Sequence, residues 1–399
     1  MRSGRRRLDR NVIALGGAAF LQDASSEMIF PFLPAFLTTV LGAPPLFLGV
    51  IEGAADSLSS LLRPVFGSLS DRSGRRKPFV VAGYAIANAT RPVLAIVAAP
   101  WQVLAVRLCD RLGKAIRTAP RDALLADSSD ADDRGRAFGF HRAMDHAGAV
   151  VGPLIASLVF VAVGRSYRWL FLLASIPGVL TVLFAAFRVR EIVPAARTEA
   201  PVGVTADGET STVSSLFENR SFLILLVAIL LFTLGNSSDA FLLLRLGESG
   251  VDVAWLPALW AALHVVKTVS VYPCGILSDR FGRRPMLLVG WAFYALVYAG
   301  FAILSEPAAI AALFVGYGLF YGLTEGAERA LIADLVEPGR RGAAFGIYNG
   351  ALGIAALPAS LLTGAIWQLA GSGPAFLCGA GFAAIAALVL FRVGSSAKR

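Results

Sequence analysis

Charge is scarce in this chain. Only 16% of its 399 residues are Asp, Glu, Lys or Arg, while 56% are apolar. A soluble globular domain carries about a quarter charged residues. The shortage excludes an ordinary soluble domain and points to a surface that meets lipid. Cysteine is rarer still. Cys109, Cys274 and Cys378 lie far apart inside apolar stretches, so no disulfide framework or metal spacing is present, and they read as small packing residues. Three histidines are too few for a His-rich metal site. No nucleotide-binding P-loop, metal-ligand pattern or supported Ser/His/Asp arrangement occurs. These absences set aside an ATP-driven pump and a membrane enzyme, and they imply neither cofactor nor metal.

Long polar runs are also missing, with one exception. A bilayer core needs roughly 20 apolar residues per helix. Twelve candidate spans fit that template, near 11–40, 45–69, 77–98, 100–123, 137–163, 168–188, 221–246, 252–277, 284–304, 307–332, 342–370 and 373–393. The one polar stretch, Arg190 to Arg220, is rich in Pro, Thr, Ala and Glu and reads as a flexible linker. It divides the chain into an amino-terminal half, 1–189, a linker, 190–220, and a carboxyl-terminal half, 221–399, of six spans each. The start is basic, but no small-residue cleavage site follows a short apolar core. The first run is therefore expected to be retained as a helix rather than removed as a signal peptide.

The formal charge is +9. On a soluble protein it would suggest nucleic acid. Here the bases fall between apolar runs, as cytoplasmic loops require. Arg5–Arg7, Arg72, Arg75, Arg76, Lys77, Arg134, Arg136, Arg188, Arg190, Arg280, Arg283, Arg284, Arg340, Arg341, Lys398 and Arg399 all fall on one side if the amino terminus is inside. Both termini are expected in the cytoplasm, with the chain integral to the plasma (inner) membrane and no nucleic-acid partner.

Two of these loops say nearly the same thing. "GSLSDRSGRRKP" begins at Gly67 and "GILSDRFGRRPM" at Gly275. "ALLAD" at Ala123 recurs as "ALIAD" at Ala330, and "RAFGF" at Arg136 recurs loosely as "AAFGI" at Ala343, each 207 residues on. A repeat at half the chain length indicates two related six-helix bundles. On these residues the chain resembles the major facilitator superfamily, over nearly its whole length. Gly67, Leu69, Asp71, Arg72, Gly74, Arg75 and Arg76 match the signature G-x-L-x-D-R-x-G-R-[RK] between helices two and three. Gly275, Leu277, Asp279, Arg280, Gly282, Arg283 and Arg284 match its sister copy. The resemblance implies an all-α integral membrane fold of twelve transmembrane helices in two pseudo-symmetric six-helix bundles. It also implies that this loop latches the cytoplasmic side, a role carried to Gly67, Asp71, Arg72, Arg75, Asp279 and Arg280. The alternative, that the bases only fix topology, stays open at this point.

The fifth span reads "GFHRAMDHAGAVVGPLIA". Gly139, Gly148, Gly152 and Pro153 fit the antiporter pattern of the same family, with Ala156 at its last position. Small residues let helices pack closely, and generic close packing would explain the same pattern. The fourth span resembles the family's R-x-x-Q-G motif at Arg107, but Asp110 replaces Gln and Arg111 replaces Gly. Helical spacing puts Arg107, Asp110, Arg111 and Lys114 on one face. A charge at mid-bilayer costs roughly 2.5–3.5 kcal/mol on insertion scales, so this face must meet water or acids. The first span offers Asp23 and Glu27, four apart; the second offers Glu52 and Asp56, also four apart. Asp23 and Glu27 are read as candidate proton carriers, with a static paired network as the alternative. In the carboxyl half, His264 and Lys267 are a second-site candidate, while His141 and His146 are expected near the interface.

Together these residues predict a secondary active transporter that exports a small organic solute or drug by proton-coupled alternating access. Two alternatives remain: an importer or symporter of a small solute, anionic or not, and a lipid-translocating carrier. The expected partners are a small-molecule substrate, protons and the lipid bilayer, and a monomer is expected.

Overall fold

The structure, a computed structural model, describes residues 8–129, 133–192, 216, 218–337 and 340–392. Arg5–Arg7, Lys398, Arg399 and most of the 190–220 linker lie outside the described residues. Among the described residues there are helices and turns and no strand. That follows from the solvent: lipid offers the backbone no hydrogen-bond partner, so each spanning segment must satisfy itself.

The helices follow the expected spans closely. They are α1 Arg10–Glu27, α2 Pro45–Ser73, α3 Lys77–Leu94, α4 Pro100–Asp127, α5 Arg134–Ala162, α6 Tyr167–Leu173, α7 Ser175–Arg188, α8 Arg220–Gly235, α9 Ala240–Glu248, α10 Leu256–Phe281, α11 Arg283–Ile303, α12 Pro307–Leu335, α13 Arg341–Ala370 and α14 Ser372–Leu390. Local chemistry sets several starts. Asp9 caps α1 by accepting from the Asn11 amide at 2.7 Å, and Asn219 caps α8 by accepting from Phe222 at 3.1 Å. Glu306 caps α12 just before Pro307, whose missing N–H costs nothing at a helix start. The turns between α2 and α3 and between α10 and α11 need Gly74 and Gly282, at φ +66° and +97°.

Two spans differ from a single rod. The first, expected over 11–40, leaves α-geometry after Glu27 and continues to Val40 through short tighter and wider turns. The seventh, expected over 221–246, stops at Gly235 and resumes at Ala240.

Nine helical stretches among the described residues are long and apolar enough to cross a membrane. The other three are the first, third and fourth spans, which carry Asp23 and Glu27, Arg91, and the charges from Arg107 to Arg117.

The described residues pack as two compact units. One takes those within Met1–Leu41, Leu61–Ala196 and Val253–Ala261. In it α1 packs on α5 and α7, and α3 on α4 and α7. The other takes those within Gly42–Ser60, Arg197–Asp252 and Ala262–Arg399. There α8 packs on α13 and α14, and α11 on α12 and α14. The pairings are the same, first span with fifth and sixth, third with fourth and sixth. The sequence repeat is therefore a structural one. The first part of α2 groups with the second unit because Gly49 and Gly53 let its backbone lie against α13: a Cβ on Gly49 would meet the Ser360 carbonyl at 2.2 Å.

Candidate functional site

The first unit is built around the charged face of α4. Arg107 is 9% exposed, and Asp110, Arg111 and Lys114 are half-buried beside it. Asp110 lies 3.8 Å from Arg107 and 4.0 Å from Arg111. From α1, Glu27 faces Arg107, Arg111 and Lys114, and Asp23 faces Lys114 and Arg117. The structure thus brings six expected residues together: Asp23, Glu27, Arg107, Asp110, Arg111 and Lys114. Glu27 stands at the last turn of α1, and the Trp260 indole N–H donates to its carboxylate at 2.7 Å. Trp260 belongs to the 253–261 segment of the same unit and packs on Phe30, ring centroids 5.0 Å apart. The Arg107 guanidinium lies 5.8 Å from the centre of that Phe30 ring.

A cavity of about 30 Å³ opens here, lined by Ser26, Phe30, Thr90, Arg91, Arg107 and Asp110 among others. It has room for about one water molecule.

Several members of this cluster escape a reading of spacing. Arg91 on α3 is 2% exposed and donates to the Gln22 carbonyl at 3.4 Å. Asn88, one turn earlier, donates to the Gln22 side chain at 2.8 Å. Arg117 stands 4.9 Å from the centre of the Tyr84 ring. Arg121 donates to Asp122 at 2.8 Å. On α5, Asp145 faces Asp23, and His141 sits 3.4 Å from Asp145. His141, expected near the interface, is buried within this unit, 2% exposed and one turn from Asp145.

The antiporter-like pattern divides. A Cβ on Gly148 would meet the Phe20 carbonyl at 2.4 Å, and one on Gly152 the Ala24 carbonyl at 2.3 Å. These two glycines, with Pro153 buried beside them, hold the α1 and α5 backbones together next to Asp23. Gly139 has nothing within 4 Å among the described residues, so the packing role expected of it is not supported.

Glu52 and Asp56 lie in the other unit, and the shared face expected of them does not put them in one environment. Glu52 is 1% exposed and Asp56 is exposed. His264 and Lys267 are in that unit too. Lys267 lies 4.0 Å from the Tyr321 ring centre and 3.9 Å from Glu325.

In the charged loops, Asp71, Arg72, Arg75, Asp279 and Arg280 are exposed. The residues that tie these loops down are others. Arg76 pairs with Asp127 and lies 3.5 Å from Asp71; Arg283 donates to Asp334 at 2.9 Å and lies 3.5 Å from Asp279. Arg76 and Arg283 are 207 apart, and so are Asp127 and Asp334. The repeated "ALLAD" and "ALIAD" therefore supply the acid each loop arginine holds. Glu191 adds two bonds of 2.9 Å from the Arg76 and Lys77 amides. Gly67 packs near Ala119, whose Cβ would lie 3.2 Å from an added one, while Gly275 has nothing within 4 Å. Asp127→Asn and Asp334→Asn are each expected to cost no more than about 1 kcal/mol, because both pairs are partly exposed, and so to lower the thermal midpoint in detergent modestly. Unchanged midpoints would reduce both pairs to surface decoration.

The family model of the Major Facilitator Superfamily matches residues 15–271 and 240–399. The chain belongs to the major facilitator superfamily. Among its relatives, an uncharacterised MFS-type transporter of Methanocaldococcus jannaschii is 34% identical over 392 residues, covering 96% of this chain and 95% of that one. The multidrug resistance protein MdtH of Edwardsiella ictaluri is 26% identical, covering 86% and 82%. Among solved structures, a bacterial homologue of the human lysosomal transporter Spinster superposes with a TM-score of 0.80 at 16% identity, covering 98% of each chain. This major facilitator is thus an integral membrane transporter of small molecules and not an enzyme. Its long apolar helices and its internal repeat are those of the fold.

Proposed function

We propose that this transporter exports a small organic solute in exchange for protons, with Asp23 and Glu27 as the proton-carrying groups. One observation carries the reading: two carboxylates on α1 face a row of bases on α4 within a single packed unit. Seven charges in one membrane-spanning helix pair, Asp23, Glu27, Arg107, Asp110, Arg111, Lys114 and Arg117, are costly unless each has partners. A static network would do that much. What favours movement is where the acids stand. Glu27 ends its helix beside a cavity, and its bond to Trp260 is one that a displaced segment would break. The similarity to MdtH, a multidrug resistance protein, supports export, and so does the Gly148–Gly152–Pro153 packing.

A second reading is a solute bearing a carboxylate or phosphate. Arg91 and Arg107 on the cavity wall favour it, since buried guanidinium groups match such anions in geometry and charge.

Everted membrane vesicles test the proposal. Solutes from a panel should enter when the lumen is acid, without ATP, and uptake should collapse when a protonophore removes the gradient. Uptake that ignores the gradient would overturn proton coupling. We further assign both termini and the Arg72–Arg75 loop to the cytoplasmic side of the inner membrane, and read the transporter as a monomer of two six-helix halves, 1–189 and 221–399. In a cysteine-free background, labelling of Ser73→Cys by an impermeant reagent on intact cells would overturn that orientation.

A further inference from the structure

We propose that the interrupted seventh span holds a site for a monovalent cation in the carboxyl-terminal half, separate from the acids of α1. The apolar run over 221–246 contains no proline, yet helix α8 ends at Gly235 and α9 begins at Ala240. The four residues between are Asn236, Ser237, Ser238 and Asp239. Irregular backbone at membrane depth persists where it lines a polar cavity or a binding site. The break recurs in the repeat: subtracting the 207-residue offset from Gly235 gives Met28, where the first span also leaves α-geometry. Interruptions at matching places in two halves are a physical pointer to where a transporter binds.

Oxygen atoms gather at this break. The Tyr321 hydroxyl donates to the Asp239 carboxylate at 2.6 Å, and the Tyr294 hydroxyl donates to the Gly235 carbonyl at 2.9 Å. Tyr317 reaches toward Asp239, and Tyr298 toward both Ser237 and Tyr317. Near as these groups are, the Ser237, Tyr298 and Tyr317 hydroxyls have no hydrogen-bond partner among the described residues. They are 6%, 2% and 0% exposed. A buried hydroxyl is normally satisfied, so three at one place call for a common partner. Each offers lone pairs, and Asp239 adds a negative charge.

The surrounding charges leave that demand standing. Lys267 is within electrostatic reach of Asp239 from α10, but it also lies 3.9 Å from Glu325 on α12, an acid it shares with Arg329 at 3.8 Å. Asp56 of α2 adds a further negative charge within electrostatic reach of Asp239. Aromatic rings pack around the break as well: Tyr294 and Tyr298 stack at 4.0 Å, Tyr317 and Phe320 at 5.4 Å, and the Tyr321 face carries Lys267. Hydroxyl and carboxylate oxygens suit one positive charge. A divalent ion would call for more carboxylates than the single one at the break. The charge could arrive as a free sodium ion or as the ammonium group of the solute; the chemistry of the site is shared.

Binding to the purified, full-length protein tests this without transport, so it stands or falls apart from proton coupling. Binding of radiosodium and, separately, of radiolabelled methylammonium is measured at fixed pH, each with both unlabelled cations as competitors. A free-ion site gives saturable sodium binding; a head-group site binds methylammonium and not sodium. Either result supports the proposal if Asp239→Asn weakens binding at least about tenfold, as loss of a charged partner should. Ser237→Ala and Tyr317→Phe should each weaken it less, and they serve if Asp239→Asn does not fold. Binding of neither cation, or binding that ignores all three substitutions, overturns the site.

Discussion

Asp23→Asn and Glu27→Gln should each abolish solute accumulation while leaving solute exchange intact. A proton coupled one-to-one across one pH unit supports about a tenfold concentration ratio, about 1.4 kcal/mol. A neutralised carrier supports none, and the ratio falls to unity. Exchange survives because it needs only the rocking of the loaded protein, with no net proton movement. Arg107→Ala should do more harm than either. It removes the guanidinium that lies beside Asp110 and faces Glu27, and uncompensated buried charge typically costs about 3–5 kcal/mol. Proton and solute flux in proteoliposomes, measured for each variant, separate these outcomes. If both acid variants concentrate solute as the parent does, Asp23 and Glu27 are structural, and Asp145 becomes the first acid to test.

Gly152→Ala should destabilise the protein far more than its one added methyl suggests. That methyl would lie 2.3 Å from the Ala24 carbonyl and 2.8 Å from the Ala24 Cα. Both are backbone atoms, so no side chain can swing aside. Helices α1 and α5 must separate, at a cost of about 1–3 kcal/mol or more for overpacking. The separation also displaces Asp23, one residue before Ala24. Folded yield and thermal midpoint in detergent should fall, with transport falling further than either. Gly139→Ala is the control. It meets nothing within 4 Å, and Ala is favoured over Gly in a helix by up to about 1 kcal/mol. Equal midpoints for the two variants would sink the packing role.

The spans were legible because lipid imposes one rule, a long apolar run, and the runs could be read directly. The charged face of α4 was legible because 107, 110, 111 and 114 follow a helical period. Arg91 and Asn88 were not, since single polar residues in an apolar helix have no period to reveal which way they point. The helix ends after Glu27 and Gly235 were equally hidden: the hydrophobic pattern runs straight through both. Asp127 and Asp334 show a third kind of gap. Their repetition was visible, but their partners, Arg76 and Arg283, lie about fifty residues away in sequence and meet them only once the helices pack.

The three helical stretches too polar to qualify as membrane spans have a consequence for how the chain is made. In α4 each central charge costs about 2.5–3.5 kcal/mol on entering the bilayer alone, while each Leu, Ile, Phe or Val returns only about 0.3–0.6 kcal/mol. Five such charges, from Arg107 to Arg117, outweigh the apolar residues of that helix. The helix cannot partition into lipid by itself as it leaves the ribosome. Its acids are on α1, which emerges earlier and carries the same defect. The two must be held at the translocon until they can be released together, with α3 between them in sequence. Biogenesis of this half is thus a joint event, and a nascent chain that stops before Arg107 would lack the counter-charges that let its first helix stay.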